Sequence, residues 1–190
     1  MRLTEIRIAG FGGQGVILSA IVIGKAACIF DGWYATMTQS FGPEARGSVC
    51  SAQVILSDRP ILYPYVTRPD VLVAMSQEAY TRFAPELKSG GLLIIEQDLV
   101  RVSELQRDMR LLSVAATRLA EELGNRLVVN TVMVGFFGAV TSLLKPESLR
   151  KAIADSVPAS FLELNQRAFK KGFECGMSAV PAMTECVMAS

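Results

Sequence analysis

The chain has 190 residues, 51% hydrophobic and 19% charged, with a formal net charge of +1 and no histidine. That length supports one domain with a substantial core, and near-neutrality supplies no basic field for nucleic acid. The missing imidazoles remove the commonest general base and metal ligand. A charged fraction below the usual ~25% leaves two readings open, a surface covered by another chain or a well-packed α/β core.

Residues 4–9 alternate as a strand, with Ile6 and Ile8 on one face. Gly10-Phe11-Gly12-Gly13-Gln14-Gly15 follows as a glycine turn, and residues 16–30 read as a helix apolar almost all round. Lys25 interrupts that run and it is short, so it reads as a buried helix and not a membrane span. A second strand is predicted over 33–38. Next comes Gln39-Ser40-Phe41-Gly42-Pro43-Glu44-Ala45-Arg46-Gly47-Ser48, where Gly42-Pro43 demands a turn or extended chain.

A third strand covers 49–56, and an irregular connection over 61–69 carries Pro64 and Pro69. Residues 70–75 form a short apolar strand suited to a sheet covered on both faces. Ser76 caps a helix over 77–87 that Pro85 should end or bend. Gly90-Gly91 turns into a strand over 92–96, 102–107 is ambiguous, 110–114 is an edge strand, and 116–123 is a helix. The C-terminal third is helical. An uncharged helix spans 130–144, a second starts at Pro146 and runs to about 157, and a third runs from Ser160 to about Gly172. Residues 176–190 read as a loosely ordered tail.

Alternating strands and helices define an α/β three-layer sandwich around a mostly parallel sheet. Ligands of such sheets sit beyond the carboxyl ends of the strands. The loops at 10–15 and 40–47 should therefore open on one edge, joined by Ser76-Gln77 and Glu96-Gln97-Asp98, provided the second strand runs parallel to the first.

Gly10-x-Gly12-x-x-Gly15 matches a dinucleotide fingerprint, but no acidic residue follows at the end of the second strand to hold a ribose. The glycines then serve either tight strand–helix packing or a polar partner, and Gln14 is either a solvated tip or a hydrogen-bonding contact. Arg46 can pair with a carboxylate or phosphate, or with Glu44 as a weak surface ion pair. Cys28, Cys50, Cys175 and Cys186 are scattered without a Cys-x-x-Cys. Neither an iron–sulfur run nor a zinc knuckle is supported, and no catalytic constellation or metal cluster is assigned. Met1-Arg2 leads straight into a strand, so no leader is read and the cytoplasm is expected.

Taken together, the 8–16 and 40–47 stretches resemble the gamma subunit of 2-oxoacid:ferredoxin oxidoreductases. The similarity continues through Ser57-Asp58, Pro69-Asp70-Val71-Leu72-Val73, Gly90-Gly91-Leu92-Leu93-Ile94 and Asn130, and covers roughly residues 3–170. Ser48 departs from it, standing where a second glycine is usual. The resemblance implies a Rossmann-like domain over 1–175. It would belong to a complex that oxidatively decarboxylates a 2-oxoacid, forms an acyl-coenzyme A and reduces ferredoxin. Thiamine diphosphate, magnesium and iron–sulfur clusters would sit in alpha, beta and delta partners, with coenzyme A as co-substrate and none of these held by this chain. The interface or cofactor-facing residues would be Gly10, Gly12, Gly13, Gln14, Gly15, Ser40, Gly42, Pro43, Glu44, Arg46 and Gly47. The loops look most like the 2-oxoglutarate branch, with pyruvate, ketoisovalerate and indolepyruvate open. A free-standing nucleotide- or coenzyme A-binding protein is the alternative, and a homodimer is open to the isolated chain.

Overall fold

The computed structural model describes residues 3–41, 49–103 and 108–188, the stretch from 181 onward as backbone only. Gly42, Pro43, Glu44, Arg46 and Gly47 lie outside the described residues, as does part of the ambiguous 102–107 segment.

Six strands form one sheet: β1 (Leu3–Phe11), β2 (Tyr34–Ser40), β3 (Val49–Ser57), β4 (Val71–Ala74), β5 (Leu92–Glu96) and β6 (Arg110–Val114), in the order β2-β3-β1-β4-β5-β6. β1, β4, β5 and β6 are mutually parallel, while β3 is antiparallel to both β1 and β2. Two reversals leave β2 pointing the same way as β1, which is the condition for their carboxyl-end loops to share an edge.

The helices are α1 (Val16–Lys25), α2 (Gln77–Phe83), α3 (Ala116–Glu122), α4 (Val129–Thr141), α5 (Pro146–Ala154) and α6 (Leu162–Met188). α1 continues as a π-helical segment, Ala26–Phe30, closed by the Asp31 N–H donating to the Ala26 carbonyl at 3.0 Å. The single apolar helix predicted over 16–30 is therefore continuous, widened at its end. α2 stops at Phe83, earlier than predicted, because Pro85 sits in a 3₁₀ turn at Ala84–Glu86.

α1, α3, α4, α5 and α6 bury one face of the sheet around Ile6, Ile8, Val54, Leu56, Val73 and Ile94. α2 covers part of the other face through Ala79, Tyr80 and Phe83, over Leu72, Ala74, Leu93 and Ile95. Strand residues that alternate between two buried faces explain the continuous apolar runs of β4 and β5.

α6 departs most from the sequence reading. It does not end near Gly172 but runs on to Met188. Gly172 lies inside the helix because α4 presses on it. A Cβ there would stand 2.0 Å from the Val132 carbonyl oxygen, and one on Gly135 would stand 2.2 Å from the Phe169 carbonyl oxygen. These glycines are a close helix–helix contact and not a helix stop.

Candidate functional site

The glycine turn leaves the carboxyl end of β1 and is fixed by Gln14. Its Oε1 accepts from the Phe11 N–H at 2.7 Å, and its Nε2 donates to the Met75 carbonyl at 2.9 Å. The Met75 N–H in turn donates to the Ala9 carbonyl at 2.8 Å. One amide thus ties the turn to its own strand and to the end of β4. Gly10 makes room for it, since a Cβ there would meet Gln14 Oε1 at 2.5 Å. Of the two roles left open for Gln14, the structure supports the hydrogen-bonding one.

Gly15 caps α1 in the left-handed conformation, φ 74°, with no side-chain cap on the helix. A Cβ on Gly15 would stand 2.6 Å from the Cβ of Asn130, which is only 3% exposed. Asn130 opens α4, so the glycine turn is where three elements meet: β1, α1 and α4. Gly13 is exposed at the tip, with open space around it. The first-turn N–H groups of α1 and its macrodipole make this rim favourable for negative charge or a polar partner.

The rim continues along the sheet. Phe11 pairs with Val49, and Ser40 at the end of β2 pairs with Ser51 of β3. The exposed Ser40 and Phe41, the latter 66% exposed, therefore stand on the same edge as Gly12 and Gly13. Of the other two stretches expected here, Ser76 and Glu96 face inward, while Gln77, Gln97 and Asp98 are exposed on the edge. Ser76 is fully buried and accepts from the Ala79 N–H at 3.2 Å, capping α2. Glu96 is fully buried, and its carboxylate accepts from the N–H groups of Asp98, Leu99 and Thr117 at 2.8, 2.8 and 3.0 Å. Gln77 clamps the backbone of Arg101 from both sides, accepting at 2.8 Å and donating at 3.3 Å. Ser76, Gln77 and Glu96 are thus engaged in holding loops.

Sequence reasoning placed Glu96 on this edge but foresaw neither its role as a backbone anchor nor the docking of Asn130 on Gly15. The available signal for the second was an uncharged polar pair, Asn130-Thr131, heading a helix without charge. Thr131 donates to Asn165 at 2.6 Å, so that pair also locks α4 to α6. Of the cysteines, Cys50 is buried and burial raises its thiol above the ordinary value, which keeps it protonated and inert. Among the described residues no group of three or more His, Cys, Asp or Glu could hold a metal ion, and no helix is long and apolar enough to cross a membrane.

A mixed α/β sheet whose carboxyl-end rim is lined by backbone and firmly tied down defines a Rossmann-like chain. A family model described as pyruvate ferredoxin/flavodoxin oxidoreductase matches residues 5–175, and the chain belongs to that family. A 2-oxoglutarate synthase subunit KorC of Methanothermobacter thermautotrophicus is 48% identical over 176 residues, 90% of this chain and 93% of the relative. The crystal structure of a keto/oxoacid ferredoxin oxidoreductase gamma subunit from Geobacter sulfurreducens superposes with a TM-score of 0.84 at 36% identity, covering 94% of this chain and 99% of that one. A 2-oxoglutarate:ferredoxin oxidoreductase from Magnetococcus marinus, with 2-oxoglutarate, coenzyme A and succinyl-CoA bound, gives a TM-score of 0.85 at 23% identity. That match covers 94% of this chain and 32% of the other, and shows the same fold within a longer polypeptide. Within the family, the chain is a gamma-type subunit of a 2-oxoacid:ferredoxin oxidoreductase.

Proposed function

We propose that this subunit docks its glycine rim against the thiamine-binding chains of a 2-oxoglutarate:ferredoxin oxidoreductase and helps shape the approach of coenzyme A. The observation that carries the reading is the shared edge: Gly10–Gly15 and Ser40–Phe41 lie on the same end of the sheet, one strand apart, with the turn immobilised by Gln14. A rim fixed in this way is pre-organised for a partner, so little ordering cost is added on docking. The choice of 2-oxoglutarate rests on relatives named 2-oxoglutarate synthase subunits at 43% and 48% identity. Gly12, Gly13, Gln14, Gly15 and Ser40 form the described part of the docking edge, and Gly42, Pro43, Glu44, Arg46 and Gly47 complete it.

The donor set of this chain does not suit the redox groups. It has no Cys-x-x-Cys run, and the three described cysteines are free and scattered. The resemblance implies that thiamine diphosphate, magnesium and the clusters lie on alpha, beta and delta partners, which pass electrons to ferredoxin. The role of this chain is positional. A cytoplasmic location belongs to the same reading and suits the free, exposed thiol of Cys28.

The test is co-purification. Phe41→Asp, at a site two-thirds open to solvent, and Arg46→Ala should each weaken recovery of the complex while leaving the melting temperature of the lone chain unchanged. Unimpaired assembly and activity with both variants would contradict the docking edge. Micromolar binding of coenzyme A to the lone chain, abolished by enlarging Gly12 or Gly15, would favour a free-standing binding protein instead.

A further inference from the structure

The N-terminus of α1 is left open. Gly15 stands at its N-cap and supplies no side-chain acceptor, and no acidic residue falls in the first turn. Ser19 is the first residue whose N–H finds an intrahelical carbonyl, that of Gly15 at 2.9 Å, and its hydroxyl donates to the same oxygen at 3.1 Å. The N–H groups of Val16, Ile17 and Leu18 therefore have no acceptor in the helix. An unpaired side chain lies at the same spot. A Cβ on Gly15 would stand 2.6 Å from Cγ of Asn130 and 3.0 Å from its Nδ2. Asn130 is only 3% exposed, yet among the described residues its carboxamide has no hydrogen-bond partner, whereas the adjacent Thr131 is paired with Asn165. The amide is not sealed off, since the fully enclosed polar atoms without partners among the described residues are Arg7 Nε, Arg150 Nε and Ser156 Oγ. It opens on the rim, and a buried amide left unpaired opposes folding unless something outside the chain completes it.

We infer that the missing acceptor is a carboxylate, an Asp or Glu side chain of the chain that docks on the rim, which caps α1 in trans and accepts from Asn130 Nδ2. The inference rests on the docking reading above and names the chemistry the partner brings to it. The free N–H groups and the helix dipole select negative charge, and Asn130 adds a donor fixed by burial. The surroundings fit a side chain better than a nucleotide. An open α/β sheet receives nucleotides in the crevice beyond its strand ends, and here Gln14 already bridges that crevice from the Phe11 N–H to the Met75 carbonyl. β2 ends Thr-Gln-Ser, with no acid to hold a ribose. Residues 10–18 and 129–132 contain no lysine or arginine, so the positive charge of the seat is the roughly half unit of the helix end, which matches a monoanion and not a phosphate dianion.

The test uses the full chain, alone and with the chains that co-purify with it. On assembly of the wild type, the amides of Val16, Ile17 and Leu18 should gain hydrogen-exchange protection along with those of Gly12 and Gly13. Protection of the glycines without that of 16–18 would overturn the inference and leave the docking reading standing; protection of neither would remove both. Asn130→Ala deletes one hydrogen bond to a charged group and should weaken affinity for the partner chains about tenfold. Asn130→Asp keeps the shape but sets like charge against the carboxylate, and should weaken it by at least about tenfold more. Changing the matching partner Asp or Glu to Asn or Gln should rescue the Asn130→Asp complex. Equal losses from the two variants, or no rescue by any acidic residue of the docking chains, would overturn the inference. So would micromolar binding of inorganic pyrophosphate to the lone chain with shifts of the Asn130 side-chain amide, which would make the seat a phosphate site.

Discussion

Replacing Gln14 by alanine removes the acceptor of the Phe11 N–H and the donor to the Met75 carbonyl together. Leaving two part-buried backbone groups without partners costs about 1–3 kcal/mol, and chemical denaturation of Gln14→Ala should show that loss. Gly15→Ala adds a Cβ against Asn130 at a left-handed position, so both crowding and backbone oppose it. Lys88 tests the opposite end of the sheet. Burial lowers its pKa, but its hydrogen bonds to Glu5 at 2.7 Å and Asp70 at 2.9 Å, with their charges, outweigh this and raise it above 10.5. A raised pKa stabilises the fold below the unfolded value and loses that contribution as pH climbs through the folded one. Wild type should therefore exceed Lys88→Met in stability at pH 8, by under about 1 kcal/mol because the ammonium is partly exposed and screened. The gap should close above pH 10.5. A gap that persists unchanged into that alkaline range would contradict the assignment.

Among the elements, two glycines inside helices make opposite predictions. Gly172→Ala forces a Cβ into the Val132 backbone, where no side chain can yield, and should cost about 1–3 kcal/mol or more. Gly24→Ala on α1 meets nothing within 4 Å and should stabilise the chain by about 0.5–1 kcal/mol. Thermal melts of the two variants check both signs. The same pair shows why element ends were only partly legible. Pro85 acts within its own segment, so a helix stop near it could be read directly. Gly172 acts through Val132 on another helix, a contact with no local signature, so its local sequence reads as a terminus. The antiparallel course of β3 was legible in principle, since residues 41–48 are too few for the dozen or more a parallel crossover needs.

At the scale of the whole molecule, strand–helix alternation located the sheet and the shared direction of β1 and β2 located the rim. The identity of the rim residues needed the pair of loops in order and spacing, because either loop alone also fits plain strand–helix packing. The contacts of Asn130 with Gly15 and of Glu96 with Thr117 were beyond reach, since only the fold brings those partners together. The central claim is that this chain is required for a reaction whose redox groups lie in its partners. The direct measurement is 2-oxoglutarate- and coenzyme A-dependent reduction of ferredoxin by the partner chains, with and without this subunit, and by this subunit alone. The account predicts activity only when all chains are combined. Ferredoxin reduction by the isolated chain, or full activity of the partners without it, would contradict the account.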